Sequence, residues 1–346
     1  MSKKKLIFIY PKRYTFIQTE IKALSSEFEL ITIDQDWLNR LLLPFTFIQQ
    51  FVFLLFNISK VDTILVSFGG YLSFLPALFG KVFRKKVAII VHGTDCVDFS
   101  EINYGNLRIP LMKWFIEKSY QLANVILPVS ESLVYTENNY YSVKTLKFGY
   151  SHHLKDIKTP YQVIPNGLII EDWQVENITK KENTFITVMT SDQTERKGAN
   201  LIVEVARKLP NFSFYFAGTE NIVGGNFLPE NVICLGKLSP NELRDYYSKT
   251  QFYLQLSNFE GFGVALCEAM LCECIPIVSD VNYLPSIVGD SGFVLKKRNV
   301  EMLIDLMHDV LKSDISNFEQ KARKRIIENF SIENRQELLI STLKSF

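Results

Sequence analysis

The chain has 346 residues, with 38 Lys or Arg against 37 Asp or Glu, and its formal net charge at pH 7 is +1. This length is sufficient for two domains with separate cores, whereas the balanced charge gives no electrostatic support for a nucleic-acid partner. The first apolar run, residues 6–10, stops at Pro11 as a buried strand would, and no uninterrupted apolar stretch reaches the length of a membrane span. We therefore expect a cytoplasmic protein.

Strand-like and helical stretches alternate in the first half of the chain. The strand-like runs lie at residues 6–10, 28–34, 63–67, 86–92 and 125–130. Helical patterns lie between them, for example at residues 16–26 and 107–122. This alternation predicts an α/β fold with a doubly wound, mainly parallel sheet, whose ligand sites lie at the carboxyl ends of the strands.

A segment rich in Phe and Leu, residues 37–58, interrupts this alternation. Arg40, Pro44, Gln49 and Gln50 make it a poor spanning helix. We favour a helix buried against the sheet. The alternative is a partly exposed apolar face that sits in a membrane interface or grips a lipid-linked acceptor, and nearby basic clusters such as residues 84–86 keep it open.

The five cysteines give no metal pattern. None forms a C-x-x-C pair, and Cys267 and Cys272 fall within an apolar helix close to Cys274. Buried free thiols in a reducing compartment are the expected state. The sequence thus predicts neither a bound metal nor a cofactor.

The most informative stretch is the polar loop at residues 257–263, between an apolar strand at 252–256 and a helix. Gly261 and Gly263 allow a tight turn and a close backbone approach to a ligand. The start of the following helix suits a phosphate. Glu260 and Glu268 would repel that anion if they faced it, and they are better placed to accept hydrogen bonds from sugar or ribose hydroxyls. Together these features describe a nucleotide-sugar site.

The sequence S-N-F-E-G-F-G at residues 257–263, with E-A-M from Glu268 and P-I-V-S at 276–279, resembles the signature of GT4-type retaining glycosyltransferases (glycosyltransferase group 1). The resemblance implies the GT-B fold, in which two Rossmann-like doubly wound parallel-sheet domains face a central cleft. It also implies transfer of a sugar, of the hexosyltransferase type, from a nucleoside-diphosphate sugar to a hydroxyl. No D-x-D motif stands at a strand end in a way that would demand a divalent metal, so we expect the transfer to be independent of metal. In that reaction the departing diphosphate helps to deprotonate the acceptor, and the anomeric configuration is retained.

The same resemblance sets the expected domain limits. Residues 1–170 would form the acceptor-binding domain, 171–183 a linker, 184–330 the nucleotide-sugar-binding domain, and 331–346 a C-terminal helix that returns to the first domain. V-I-P-N-G at residues 163–167 resembles the family's sequence at the end of the first domain.

Two cations precede a glycine at Arg196-Lys197-Gly198, just before a helical pattern at residues 199–208. Arg offers a planar fork to phosphate oxygens and Lys a mobile charge, so this pair suits a diphosphate whose charge grows during the reaction. Positive charge at a helix start is otherwise unfavourable, which favours an anion nearby.

By resemblance, the donor-side roles are distributed over several loops. Arg196 and Lys197, with backbone groups of Gly263 and Val264, would hold the diphosphate, Glu260 would position the donor sugar, and Glu268 would bind the ribose. The backbone at Lys237 and Leu238 would hold the nucleobase. The full expected donor-binding set is Gly198, Lys237, Leu238, Gly261, Phe262, Gly263, Val264 and Glu268, with His92, Arg196, Lys197 and Glu260 as catalytic residues.

The first half carries His92-Gly93-Thr94-Asp95 at a strand end, which resembles the family's H-G-x-D. The resemblance implies that His92 contacts the donor sugar or its phosphate and that Asp95 lies towards the acceptor. The glycine-rich loop that many members carry after the first strand is missing here. Lys12 and Arg13 are the candidates to replace its acceptor-side contacts.

The sequence leaves the acceptor open, and a lipid-linked glycan of cell-surface polysaccharide assembly is the preferred choice. Peripheral contact with the inner face of the membrane would accompany it. Two alternatives stay open: a nucleotide-sugar epimerase or phosphorylase of the same fold, and a non-catalytic protein that only binds a nucleotide sugar.

Overall fold

The computed structural model describes residues 3–175, 178–222 and 228–346, and these form two compact units. The first unit takes the described residues up to 136, 147–165 and 333–346, and the second takes those of 137–146 and 166–332. The second unit therefore includes residues 137–146 and 166–170, which were expected in the first domain.

The described residues of the expected linker, 171–175 and 178–183, also belong to the second unit, and residues 176–177 lie outside the described part of the chain. Ile170–Trp173 forms a 3₁₀ helix, and Trp173 is buried. Lys180 Nζ donates hydrogen bonds to the carbonyl oxygens of Tyr247, Thr250 and Cys272 at 3.0, 3.0 and 3.1 Å. These contacts anchor the segment on the second sheet, which the polar sequence did not indicate.

The first unit contains a five-stranded sheet in the order β2-β1-β3-β4-β5, and every pair in it is parallel. Parallel strands buried on both faces read as continuous apolar runs, which is why the sequence located all five. The strands are β1 Lys4–Ile9, β2 Phe28–Thr32, β3 Thr63–Ser67, β4 Lys86–Val91 and β5 Val125–Pro128.

Helices connect these strands, and a proline fixes one helix start. The helices are α1 Thr15–Glu27, α2 Leu43–Asn57, α3 Tyr71–Phe83, α4 Pro110–Leu122, α5 Tyr150–His153 and the C-terminal α12 Ile332–Lys344. The helix expected over residues 107–122 begins at Pro110, because proline has no N–H to donate and is favoured in the first turn. A two-stranded ribbon, β6 Thr136–Asn138 and β7 Leu146–Phe148, follows β5.

The second unit contains a six-stranded sheet in the order β10-β9-β8-β11-β12-β13, also parallel throughout. Its strands are β8 Lys181–Val188, β9 Ser213–Ala217, β10 Val232–Gly236, β11 Thr250–Gln255, β12 Ile275–Ser279 and β13 Phe293–Leu295. Its helices are α6 Ala199–Lys208, α7 Pro240–Lys249, α8 Val264–Leu271, α9 Leu284–Val288, α10 Val300–Lys312 and α11 Phe318–Asn329. Both sheets confirm the predicted α/β class with two doubly wound, Rossmann-like units.

The helix α2 contradicts the favoured expectation that the Phe-rich segment is buried. Its buried residues are only Thr46, Gln50 and Leu54, and Gln50 Nε2 donates to the carbonyl oxygen of Leu72 at 3.0 Å. The exposed set, here called the α2 apolar face, is Phe45, Ile48, Phe51, Val52, Leu55 and Phe56. A narrow stripe that includes Leu54 and two polar residues packs inward, and the larger apolar side of the helix is accessible. Among the described helices, none is both long and apolar enough to cross a membrane.

Four of the five cysteines are buried free thiols, as expected, and Cys234 is half-buried. Within residues 3–175, 178–222 and 228–346, no group of three or more His, Cys, Asp or Glu side chains is placed to hold a metal ion.

Candidate active site

The candidate donor site lies where the strand order of the second sheet reverses. The strands β8 and β11 are neighbours there, and they lead into the loops at residues 189–198 and 256–263. In an open parallel sheet, ligands bind outside the carboxyl ends of the strands at such a reversal. The two loops that the sequence singled out separately are therefore brought together.

Asn258 ties these loops to one another. Its backbone N–H donates to the carbonyl oxygen of Arg196 at 2.7 Å, and its Nδ2 donates to that of Glu195 at 2.8 Å. Gly198 completes the close approach, because its φ is +74° and a Cβ there would lie 2.3 Å from the carbonyl oxygen of Leu256. Only glycine fits this left-handed, crowded position.

Glu260 is the hub of the site, and all its side-chain contacts use one oxygen. Its Oε2 lies 3.1 Å from Lys197 Nζ and 3.3 Å from Arg196 Nη1. The same oxygen accepts hydrogen bonds from Gln255 Nε2 at 2.7 Å and Ser257 Oγ at 3.2 Å. None of the described residues donates to Oε1, so this oxygen is left for a ligand.

These three charged side chains are 10–13% exposed, and their burial shifts two pKa values. Burial by itself raises the pKa of Glu260, but Lys197 and Arg196 more than offset it and bring the pKa to about 2. Burial lowers the pKa of Lys197, and Glu260 opposes that shift. Glu260 is therefore ionised at neutral pH and holds both cations in place.

Glu268 has a different environment. It lies in α8, and burial raises its pKa to about 7 against an opposing effect of Lys197. In the part of the chain that the structure describes, no residue donates a hydrogen bond to its carboxyl group. A carboxyl group of this kind can accept hydrogen bonds from the hydroxyls of a bound sugar when it is ionised, and it can donate one to them when it is protonated.

The glycine-containing turn after Glu260 starts α8. The backbone N–H of Glu260 donates to Asn282 Oδ1 at 3.1 Å. Gly263 caps the helix with a φ of +115°. Phe262 is buried, whereas Val264 in the first helical turn is 40% exposed. The buried side chain of Phe262 thus anchors the turn in the second unit, and the start of α8 stays accessible, as anion binding requires.

Lys237 and Leu238 lie at the same edge of the sheet, after β10 and before α7. Ser239 and Glu242 form a capping box, in which the N–H of Glu242 donates to Ser239 Oγ at 3.3 Å and the N–H of Ser239 donates to Glu242 Oε2 at 2.8 Å. This box fixes the backbone that the sequence assigned to a nucleobase.

His92 follows β4 in the first unit. Its Nε2 lies 2.9 Å from Ser67 Oγ, and its ring stacks on Phe68 with centroids 4.1 Å apart. Burial, with a smaller effect of Arg335, lowers the pKa of His92 to about 3. The imidazole is therefore neutral at pH 7, and its ring nitrogens take part in hydrogen bonds without carrying a positive charge.

Asp95 was expected to lie towards the acceptor, but its carboxylate is buried and bonded to backbone N–H groups. The side chain is fully buried and accepts hydrogen bonds from the backbone N–H groups of Gly69, His92 and Gly93 at 2.8, 3.1 and 2.9 Å. Burial raises its pKa against these hydrogen bonds. Asp95 thus holds the loops after β3 and β4 together.

Lys12 and Arg13 are exposed, and each is paired with a carboxylate. Lys12 Nζ lies 3.4 Å from Asp36, and Arg13 Nε lies 3.1 Å from Asp34. The acids neutralise the cations that were expected to replace the missing glycine-rich loop.

Sequence reasoning missed the neutral side chains that hold Glu260, namely Gln255, Ser257 and Asn282. One signal was available, because Gln255 is a buried polar residue between Leu254 and Leu256 in an otherwise apolar strand. A buried amide needs hydrogen-bond partners, and Glu260 is one of them, with Tyr253 and Ser257.

Comparison with known proteins identifies the class. The model of the family described as "Glycosyl transferases group 1" matches residues 171–331. A processive diacylglycerol alpha-glucosyltransferase of Acholeplasma laidlawii is 23% identical over 272 residues, which are 73% of this chain and 77% of the relative. N-acetyl-alpha-D-glucosaminyl L-malate synthase of Bacillus anthracis is 24% identical over 276 residues, 72% of this chain and 65% of the relative.

Solved structures agree on the fold. Sucrose-phosphate synthase of Thermosynechococcus elongatus has a TM-score of 0.73 at 14% identity and covers 99% of both chains. Anabaena HepE, in complex with UDP-glucose, has a TM-score of 0.72 at 13% identity over the full length of both chains. Fold and site together define a GT-B glycosyltransferase. Residues 171–331 match the group 1 glycosyltransferase family, which confirms the resemblance read from residues 257–263.

Proposed function

We propose that the protein transfers a hexosyl group from a nucleoside-diphosphate sugar to a hydroxyl acceptor, with retention at the anomeric carbon and without a metal ion. The observation that carries this proposal is the buried cluster of Arg196, Lys197 and Glu260 at the strand-order reversal of the second sheet. Two cations share one carboxylate, so the cluster keeps one positive charge for the donor phosphates. The accessible start of α8 adds backbone N–H groups to it.

The catalytic step follows from this charge. The bond from the anomeric carbon to the diphosphate breaks, the bond to the acceptor oxygen forms on the same face, and the acceptor proton passes to the departing phosphate oxygen. Arg196 and Lys197 stabilise the negative charge that develops on that oxygen. Glu260 Oε1 accepts a hydrogen bond from a hydroxyl of the donor sugar, and Glu268 binds the ribose hydroxyls.

Three of the similar proteins support retention and the choice of donor. The Acholeplasma relative is named an alpha-glucosyltransferase, and a trehalose-6-phosphate synthase among the structural neighbours is described in a study of glycosyltransfer with retention. The Anabaena neighbour binds UDP-glucose. UDP-sugars are therefore the first donors to test.

A lipid-linked acceptor, with peripheral contact to the inner face of the membrane, is supported by the α2 apolar face. Phe45, Ile48 and Phe56 are 70%, 62% and 66% exposed there, an arrangement typical of interfacial helices. Exposed Lys81 and Arg84 lie at the end of the adjoining helix α3 and suit anionic head groups. The names of the Acholeplasma relative and of an alpha-galactosylglucosyldiacylglycerol synthase of Streptococcus pneumoniae both contain diacylglycerol, a lipid.

The transferase proposal is tested with labelled UDP-sugars and a lipid extract in vesicles that contain phosphatidylglycerol. We expect nucleoside diphosphate release with labelled product in the presence of EDTA, the donor's anomeric configuration in the product by NMR coupling constants, and loss of transfer in Lys197→Ala. Inversion, dependence on a divalent ion, or full activity of folded Lys197→Ala would contradict it. Conversion of the donor without an acceptor to an isomeric nucleotide sugar would identify an epimerase instead.

The membrane contact is tested by vesicle co-sedimentation. A variant with Phe45→Ser, Ile48→Ser and Phe56→Ser should bind phosphatidylglycerol vesicles at least about tenfold more weakly than the wild type. A matched control with Val143→Ser and Met302→Ser, which removes exposed apolar side chains of the second unit, should bind like the wild type. Equal binding by both variants would refute this role of α2.

A further inference from the structure

A row of aromatic rings occupies the strand-order reversal of the first sheet. The order β2-β1-β3-β4-β5 reverses between β1 and β3, which is the position where an open parallel sheet binds its ligand. Tyr14 and Phe16 follow β1, Phe68 follows β3, and His92 follows β4. Aromatic side chains thus stand where the glycine-rich loop was expected.

These rings form a continuous and accessible platform. Tyr14 and Phe16 stack with centroids 5.7 Å apart and an interplanar angle of 12°. Phe16 lies 5.7 Å from the His92 ring and 6.3 Å from Phe68. Tyr14 and Phe16 are 38% and 43% exposed. Large exposed rings beside a neutral imidazole, with few polar groups, are typical of small-molecule sites.

The backbone holds this platform in a costly conformation. Phe68 has a φ of +73° although it is not glycine, and such strain persists only where surrounding contacts enforce it. Its N–H donates to the carbonyl oxygen of Ile90 at 2.9 Å. Asp95 accepts from the N–H groups of both Gly69 and His92. The buried carboxylate therefore fixes the backbone at two of the four rings, at His92 itself and next to Phe68.

Charge at the platform disfavours an anionic ligand. Lys12 and Arg13 are neutralised by Asp36 and Asp34, and burial, which lowers the pKa of His92 to about 3, keeps its ring uncharged. A phosphate would find no unpaired cation among these side chains. The chemistry left is aromatic faces, the Tyr14 hydroxyl and one imidazole.

We propose that Tyr14, Phe16 and Phe68 form an acceptor subsite for the apolar face of a neutral pyranose ring. The C–H groups on that face carry partial positive charge, which the negative faces of aromatic rings attract, while the hydroxyls at its edge hydrogen-bond to Tyr14 and His92. The identity of this ligand as the acceptor rests on the proposed transferase function. The acceptor lipid would accordingly present a sugar head group rather than a bare hydroxyl or phosphate.

The test uses methyl glycopyranosides of glucose, galactose, mannose and N-acetylglucosamine as probes in saturation-transfer NMR. At least one should receive saturation at the C–H protons of one ring face, and its affinity should fall about tenfold in Phe16→Leu, which keeps apolar volume but removes the ring. Tyr135→Leu removes an exposed ring of the same unit and should change nothing.

Measuring donor affinity as well as glycoside affinity distinguishes an error in this subsite from an error in the transferase proposal. Lys197→Ala should lose donor binding and keep glycoside binding. Phe16→Leu should keep donor binding and lose most of its affinity for the glycoside. Equal glycoside affinity in wild type and Phe16→Leu, or no binding of any probe, would overturn the subsite even where Lys197-dependent donor binding persists. Transfer to diacylglycerol in preference to a sugar-headed lipid would also overturn it.

Discussion

Removing the Glu260 carboxylate should destabilise the second unit in a pH-dependent way. Lys197 Nζ and Arg196 Nη1 share its Oε2 at 3.1 and 3.3 Å, and one such pair attracts by about 5 kcal/mol at an effective dielectric constant of about 20, before the cost of burial. The pKa of about 2, against an ordinary 4.5, corresponds to about 3 kcal/mol of net stability at neutral pH. The loss expected from breaking a buried ion pair, about 3–5 kcal/mol, is consistent with this value.

The sign of the pH dependence follows from the lowered pKa. Because the folded-state pKa lies below the unfolded one, the stability is present above pH 4.5 and is lost as the pH falls towards 2. Urea denaturation of wild type and Glu260→Ala should therefore differ by about 3 kcal/mol at pH 7 and by about half as much at pH 3. Pyrophosphate should stabilise the variant more than the wild type, since it supplies negative charge to the two cations whose shared carboxylate has been removed. Equal stability of the two proteins at pH 7, or a stability difference that does not narrow on acidification, would show that Glu260 does not stabilise the fold through its two cations.

Two further substitutions test the site. Glu268→Gln should be more stable than the wild type by about 3 kcal/mol at pH 9 but not at pH 4, because the folded-state pKa of Glu268 is raised from 4.5 to about 7 and ionisation of its carboxyl group above that pH destabilises the folded state. Nucleotide binding should weaken in this variant. A stability difference in urea denaturation that does not change with pH would contradict this prediction. Gly198→Ala should lower the free energy of unfolding by about 3 kcal/mol or more, because the new Cβ would lie 2.3 Å from a backbone oxygen. Gly236 also has a positive φ, but a Cβ there would lie 3.4 Å from its nearest neighbour. Gly236→Ala should therefore lower the free energy of unfolding by about 1 kcal/mol. Equal losses in thermal denaturation would contradict this contrast.

The two sheets could be predicted from sequence because fully buried parallel strands leave continuous apolar runs. The ligand-binding turn at residues 257–263 could also be predicted, since its glycines, the following helix start and its carboxylates are close together in the sequence. The network around Glu260 could not be predicted, because Asn282 and Lys197 are distant from Glu260 in sequence and only the strand order brings them to it.

The segment Leu43–Asn57 and Asp95 show a second limit. An apolar pattern indicates that a helix has an apolar side, but it does not indicate which side the neighbouring elements cover. In this chain α3 packs against the side of α2 that carries Gln50, whose Nε2 donates to the carbonyl oxygen of Leu72. Asp95 stands beside a strand end that was rightly singled out. Its role depends on backbone donors at Gly69, which belong to another loop.

The most direct test of the account compares donor binding by wild type and Lys197→Ala. Calorimetric titration with UDP-glucose and other nucleoside-diphosphate sugars, in the presence of EDTA, should give binding of at least one donor to the wild type. Loss of one charge-assisted contact of about 1.5–3 kcal/mol predicts at least about tenfold weaker binding to folded Lys197→Ala. Equal affinity in the two proteins, or no binding of any nucleotide sugar to the wild type, would contradict the central claim that this cluster holds the donor diphosphate.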